Sequence, residues 1–274
     1  MKSRWLINLL LLAAVLAAAA ALFLPREPGP AAGLALSALT PQTINRIRIE
    51  PTGRAAVVLQ KRDGVWYMNE PYVARADLNR VQGLLSLSQA RSEKKFAATD
   101  LARFELDKPL ARVTLNQQLI TFGGVHPLNQ LLYVQTGDAV YLVSPVYFSD
   151  IAKRSEDYLS KQLLPEGAQP VGFASDSVKW QRIDGQWRRT PGKAEMTQND
   201  ANRYADVWRQ ALASEVSAQR GKAQGQIALT LADGKQLHFY ILQRTPELVL
   251  WRGDEKLAYR FGQETSKQLL SIVE

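Results

Sequence analysis

Apolar and polar residues alternate with a period of two in two separate stretches of this chain, the pattern of half-buried strands. Residues 111–115, 119–122, 131–135 and 140–143 form the first set, and 227–231, 237–242, 248–251 and 256–261 form the second. Upstream of each set stands an Asp-Gly pair, Asp63-Gly64 and Asp184-Gly185, a strong signal for a tight hairpin turn. Trp66 and Trp187 follow two residues later, and a large aromatic on the returning strand reads as a core anchor. A helical period comes next in both stretches. Asp77 is placed to cap a helix with the stripe Leu78, Val81, Leu84 and Leu85, while Thr197-x-x-Asp200 is a capping box before Tyr204, Val207, Trp208, Ala211 and Leu212. Each stretch ends in a closing helix, one opening at Ser144-Pro145 and one over residues 264–273.

The two stretches match in order. The segments 60–66 and 181–187 share Gln, Asp-Gly and Trp, Asp77-Leu78-Asn79-Arg80 parallels Asp200-Ala201-Asn202-Arg203, and Gly137-Asp138 parallels Gly253-Asp254. Four patches in the same order, counting Val113-Thr114-Leu115 against Leu229-Thr230-Leu231, predict a tandem duplication. The expected fold is α+β: two modules over 41–165 and 171–274, each an antiparallel sheet of about four to six short strands with helices on one face. The stretch from Pro165 to Pro170 is the expected boundary.

The N-terminus breaks the pattern. Lys2 and Arg4 precede an uncharged apolar run over residues 5–24, whose twenty residues span about 30 Å as a helix, the thickness of a bilayer's hydrocarbon core. Cleavage at the small residues 17–21 would cut inside that run, so residues 1–24 read as an uncleaved transmembrane anchor. The charge asymmetry puts the N-terminus in the cytoplasm and the rest in the periplasm of a bacterium, single-pass in the inner membrane. Residues 25–40 begin with a Pro- and Gly-rich stalk.

Composition narrows the chemistry. The chain has no cysteine, which excludes disulfides, thiol catalysis and cysteine metal sites. Its formal net charge is +8, but the basic residues are scattered, and no nucleic-acid motif accompanies them. The two histidines, His126 and His238, lack metal-ligand spacing, and neither a nucleophile elbow nor a phosphate loop occurs. Gly123-Gly124 reads as a bend at a strand end, and Arg252-Gly253-Asp254 as a hairpin turn rather than an adhesion motif. No catalytic, cofactor or metal residue is assigned. Trp180 and Trp251 are the aromatics expected at an interface, and Lys94-Lys95 a basic edge facing partners or anionic headgroups. Trp66, Trp187, Asp77 and Asp200 are assigned structural roles.

Several segments resemble a known bacterial family, domain of unknown function 4340. Asp63-Gly64-Val65-Trp66 with Ala76-Asp77, the run 101–115, Gly123-Gly124-Val125-His126-Pro127, Tyr133-Val134 and residues 140–143 are similar to its motifs. Glu105 stands where that family carries Gly, at a turn position expected to favour positive φ. The resemblance implies a membrane-tethered envelope protein with transporter-like associations and no established activity. The expectation is therefore a non-catalytic accessory or scaffold protein with a protein partner in the envelope. The alternative is a module holding a lipid, glycan or peptide between its two units.

Overall fold

The computed structural model describes residues 33–191 and 197–271. The expected anchor over 5–24, its stalk up to residue 32 and the end of the closing helix at Val273 lie outside the described residues. Among the described residues no helix is long and apolar enough to cross a membrane.

The described residues are mostly β-sheet with few helices, an α+β arrangement. After the short strand β1 (Leu34–Ala35) come β2 (Arg46–Pro51), β3 (Val57–Arg62), β4 (Val65–Glu70), β5 (Ala74–Arg75) and helix α1 (Leu78–Ser86). Next are β6 (Arg91–Ser92), β7 (Lys95–Ala97), β8 (Ala111–Leu115), β9 (Gln118–Val125), β10 (Leu132–Thr136), β11 (Ala139–Val143) and the four-residue helix α2 (Val146–Ser149). These build a nine-stranded antiparallel sheet ordered β5-β4-β3-β2-β8-β9-β10-β11-β7, while β1 pairs separately with β6.

The second half contributes β12 (Pro170–Ala174), β13 (Lys179–Ile183), β14 (Gln186–Thr190), α3 (Gln198–Gln210), β15 (Glu215–Ser217), β16 (Gln226–Leu231), β17 (Gln236–Gln243), β18 (Leu248–Arg252), β19 (Leu257–Phe261) and α4 (Gln263–Leu270). Its eight-stranded sheet runs β14-β13-β12-β16-β17-β18-β19-β15, the same path, and among the described residues β5 has no counterpart in it. Both sheets exceed the four to six strands expected. The additions include β5, β7 and β15, which are too short for any alternation to register in sequence.

Local chemistry accounts for the regular parts. Asp63 and Gly64 have φ of 49° and 84°, and Asp184 and Gly185 have 51° and 79°. Positive φ at both central residues is the turn that suits the twist of a two-residue hairpin. Asp77 accepts a hydrogen bond from the Arg80 amide at 3.1 Å, and Thr197 and Asp200 form the reciprocal capping box. Burial follows the predicted stripes through Val81 and Leu84 and through Tyr204 and Trp208. Leu78 and Leu212, also placed in those stripes, are 48% and 61% exposed: Leu78 is the first residue of its helix, and Leu212 lies past the helix end, bridged to Gln162. Where the pattern predicts a closing helix after Ser144, only α2 forms, although the Ser144 hydroxyl does accept from the Val146 amide.

The segment 158–164 binds the halves together. It bridges to the first half at Ala76↔Leu159 and to the second at Gln162↔Leu212. Backbone bonds run from Asp77 N–H to Tyr158 O and Ser160 N–H to Arg75 O on one side, and from Leu163 N–H to Ala211 O and Ala213 N–H to Lys161 O on the other. Buried charges reinforce this seam. Arg75 of β5 reaches 180 residues along the chain to Glu255 at 2.6 Å, and also donates to the carbonyls of Leu164 at 2.8 Å and Gln162 at 2.7 Å. Glu255 lies 3.6 Å from Arg252 and accepts from the Tyr259 hydroxyl. Arg252 donates to Leu163 O at 2.7 Å and in bidentate fashion to Asp254 at 2.8 and 2.9 Å.

Candidate functional site

The outer face of the second sheet carries two adjoining concavities, and strand alternation creates their wall. Along β17 the inward residues Leu237, Phe239 and Ile241 are buried, which turns His238, Tyr240 and Leu242 outward. Trp251 of β18 points the same way and pairs across the strands with Tyr240, their rings 5.5 Å apart and tilted by 56°. The connector 218–225 arches over this face and brings the Arg220 guanidinium to 5.3 Å over the Trp251 ring, a cation–π contact. Together with Gln236, Gly253 and Asp254 these side chains line a groove of about 550 Å³. A second concavity of about 130 Å³ adjoins it through Gly221 and Leu242, with Glu215 and Arg260 on its wall.

Charge here is unbalanced. Burial pushes the Asp254 carboxyl up, but the hydrogen bond and charge of Arg252 outweigh this and hold it below the usual carboxylate range. Its negative charge is thus spent on Arg252. Glu215 in the neighbouring concavity is 3.4 Å from Arg260. Arg220, by contrast, has only the indole face as a partner among the contacts described.

The seam has the opposite character. Burial works against the Arg75 charge, yet the Glu255 hydrogen bond and charge raise its pKa above the ordinary guanidinium value. Burial, then the Glu255 charge, push the Tyr259 hydroxyl well up, so it stays a donor.

Of the aromatics expected at an interface, Trp251 is half-buried in the groove wall. Trp180 is corrected: it is 4% exposed, because the alternation of β13 turns it inward from Lys179 and Gln181. Lys94 and Lys95 are exposed, Lys95 on the edge strand β7, far in topology from the groove. Trp66 and Trp187 are each 4% exposed, and the Trp187 indole donates to Asn202 at 2.9 Å. Asp77 and Asp200 both sit at helix N-termini, Asp77 as the cap and Asp200 three residues inside it. The Arg252-Gly253-Asp254 turn cannot present its arginine, which is 1% exposed. Sequence reasoning missed Tyr240, Arg220 and His238 as groove residues. The period-2 pattern of β17 marks the outward set, but nothing local says that this face is left open.

The first sheet shows what covers the corresponding face there. Phe122 pairs with Val134 as Phe239 pairs with Arg252, so Tyr133 holds the place of Trp251 and Gly123 the place of Tyr240. Residues 98–110 lie down on this face, and Phe104 and Leu106 form a small buried cluster with Val140, packed by Phe96 and Tyr133. The Phe104 ring is 4.9 Å from Tyr133. Contact is closest at Gly123, where a Cβ would come within 2.3 Å of the Phe104 carbonyl oxygen. Gly123-Gly124 thus serves close approach, beside the expected irregularity: the pairing register shifts between Leu132 and Val134.

Two predictions arise here. Gly123→Ala is expected to lift this segment and cost about 1–3 kcal/mol, as overpacking does, read as a lower denaturant midpoint at unchanged slope. Glu105 ends the same segment's single helical turn with φ of 55°, so the expected need for positive φ is met by a non-glycine residue. Glu105→Gly should therefore raise stability by up to about 1 kcal/mol, checked by the same titration.

No curated protein and no solved structure matches this chain. A family model described as Domain of unknown function (DUF4340) matches residues 66–226, running from β4 across the seam to the first residue of β16. With more than half of its length matched, this chain belongs to the DUF4340 family.

Proposed function

We propose that this protein is a non-catalytic, membrane-tethered accessory protein of the bacterial envelope, holding a rigid two-module platform on the periplasmic side. The observation that carries this reading is the seam. A splint of chain paired on both sides, closed by the buried Arg75–Glu255–Arg252 network, supports a platform that moves as one piece. Such a body suits presentation of a docking face better than closure around a ligand. The two sheets' shared strand order supports descent from one duplicated module, with boundaries near 165 and 171. The apolar run over 5–24 supports tethering.

The test is lysine crosslinking of the full-length protein in cells, purification and mass spectrometry. The expected result is one stoichiometric envelope partner, lost when residues beyond 40 are removed and the anchor is kept. Recovery of abundant background proteins alone would remove the scaffold reading.

A further inference from the structure

The two outer faces differ in their cover and in their charge, and together these identify what fits the open one. Over the first sheet, the thirteen-residue connector 98–110 supplies its own cover, with Phe104 and Leu106 set among Asp100, Glu105 and Asp107. Over the second sheet the equivalent connector, 218–225, has eight residues and reads Ala-Gln-Arg-Gly-Lys-Ala-Gln-Gly. It contains no aromatic and no large aliphatic side chain, so the only cover it gives the aromatic pair is the Arg220 guanidinium over Trp251. Tyr240 replaces the close-approach glycine, and the face is left as the groove of about 550 Å³.

Charge makes the second distinction. The short connector adds Arg220 and Lys222, and Lys235 stands close enough to act on Asp254. Asp254 is neutralised by Arg252, and Glu215, in the adjoining concavity, shares Arg260 with Glu247. The groove is therefore aromatic on its wall and positive at its rim. Its complement is an acidic strip carrying a ring; the first sheet's own cover likewise sets a ring, Phe104, on this face, within a segment of three carboxylates and two basic side chains, Arg103 and Lys108.

We propose that the outer face of the second sheet docks an acidic peptide segment of a partner protein, bearing an aromatic side chain that packs on Tyr240 and Trp251 while its carboxylates meet Arg220 and Lys222. This rests on the scaffold reading and names the surface and partner chemistry it uses. Aromatic anchors in a partly desolvated groove, with charge at the rim, are where interface energy concentrates.

The experiment uses the full-length protein in cells, with His238 replaced by the photo-reactive amino acid p-benzoylphenylalanine. His238 is exposed on the groove wall, and Lys179, exposed on β13, takes the same replacement as control. Adducts are mapped by mass spectrometry. The expected adduct from position 238 maps to one partner segment with a Phe, Tyr or Trp among several Asp and Glu residues. Its yield falls at least about fivefold with Trp251→Ala and with Arg220→Glu, and no such adduct forms from position 179. Arg220 is exposed, so its variant separates loss of docking from loss of folding. An adduct to glycan or lipid overturns the proposal, as do scattered protein adducts without that chemistry. If lysine crosslinking still captures the envelope partner while position 238 gives no adduct, the docking assignment falls and the scaffold reading stands.

Discussion

Arg75→Ala is expected to lower the unfolding free energy by about 3–5 kcal/mol, although Arg75 touches neither helix nor groove. Its side chain is 9% exposed and that of Glu255 is 8% exposed. Removing the guanidinium leaves a buried carboxylate facing only Arg252 at 3.6 Å and the Tyr259 hydroxyl. It also strips donors from the carbonyls of Gln162 and Leu164. A buried acceptor left without its donor costs about 1–3 kcal/mol by itself. The loss is one of compensation rather than of attraction. Arg75→Met combined with Glu255→Leu should accordingly recover much of the stability, since it removes both charges and leaves volume in place. The surface pair Arg48–Glu50, with side chains 36% and 42% exposed, is the comparison, and its disruption should cost no more than about 1 kcal/mol. Urea titrations of the wild type, Arg75→Met, Glu255→Leu and the double variant form the double-mutant cycle that checks the compensation, and the same titration of Arg75→Ala and of Arg48→Ala checks the two losses.

The second large effect is in the core of the second half. Trp208 is fully buried, with Phe239 at 5.3 Å, Phe173 at 5.8 Å and Tyr204 at 6.3 Å, and its indole N–H donates to Leu269 O at 3.2 Å. Trp208→Ala should cost about 3–5 kcal/mol through lost transfer energy and the cavity left behind. Trp208→Phe keeps most of the ring contacts and should cost distinctly less. Near-ultraviolet circular dichroism together with urea unfolding reads both outcomes. The location of the loss is informative: with the seam intact, destabilising α3 should lower the stability of the first sheet's amides as well.

Sequence carried much of this fold but little of its site. The strands β8, β10, β16 and β17 were legible because one face of each is buried and the other is not, so a period of two is written into them, whereas β11 is buried on both faces and registers only as a short apolar run. The hairpins at Asp63-Gly64 and Asp184-Gly185 were legible because few residue pairs accept positive φ twice. Strands of two or three residues such as β5 and β15 were not, since their place is set by the sheet edge they complete. Trp180 could have been assigned inward from the alternation Lys179-Trp180-Gln181. Arg252 could not, because a charged residue on a core face contradicts its own pattern until Leu163 and Asp254 are folded beside it. Arg75 and Glu255 form their bond across 180 residues, beyond the reach of any local signal. The open groove was illegible for a related reason. It exists because a connector is five residues shorter than its counterpart, and that matters only once both connectors are seen lying over equivalent faces.

The most direct test of the platform itself is differential scanning calorimetry of the full-length protein in detergent, wild type against Arg75→Ala. The seam predicts one cooperative transition for the wild type, with the calorimetric and van't Hoff enthalpies in agreement, resolving into two transitions when Arg75 is removed. Two independent transitions already present in the wild type would contradict it.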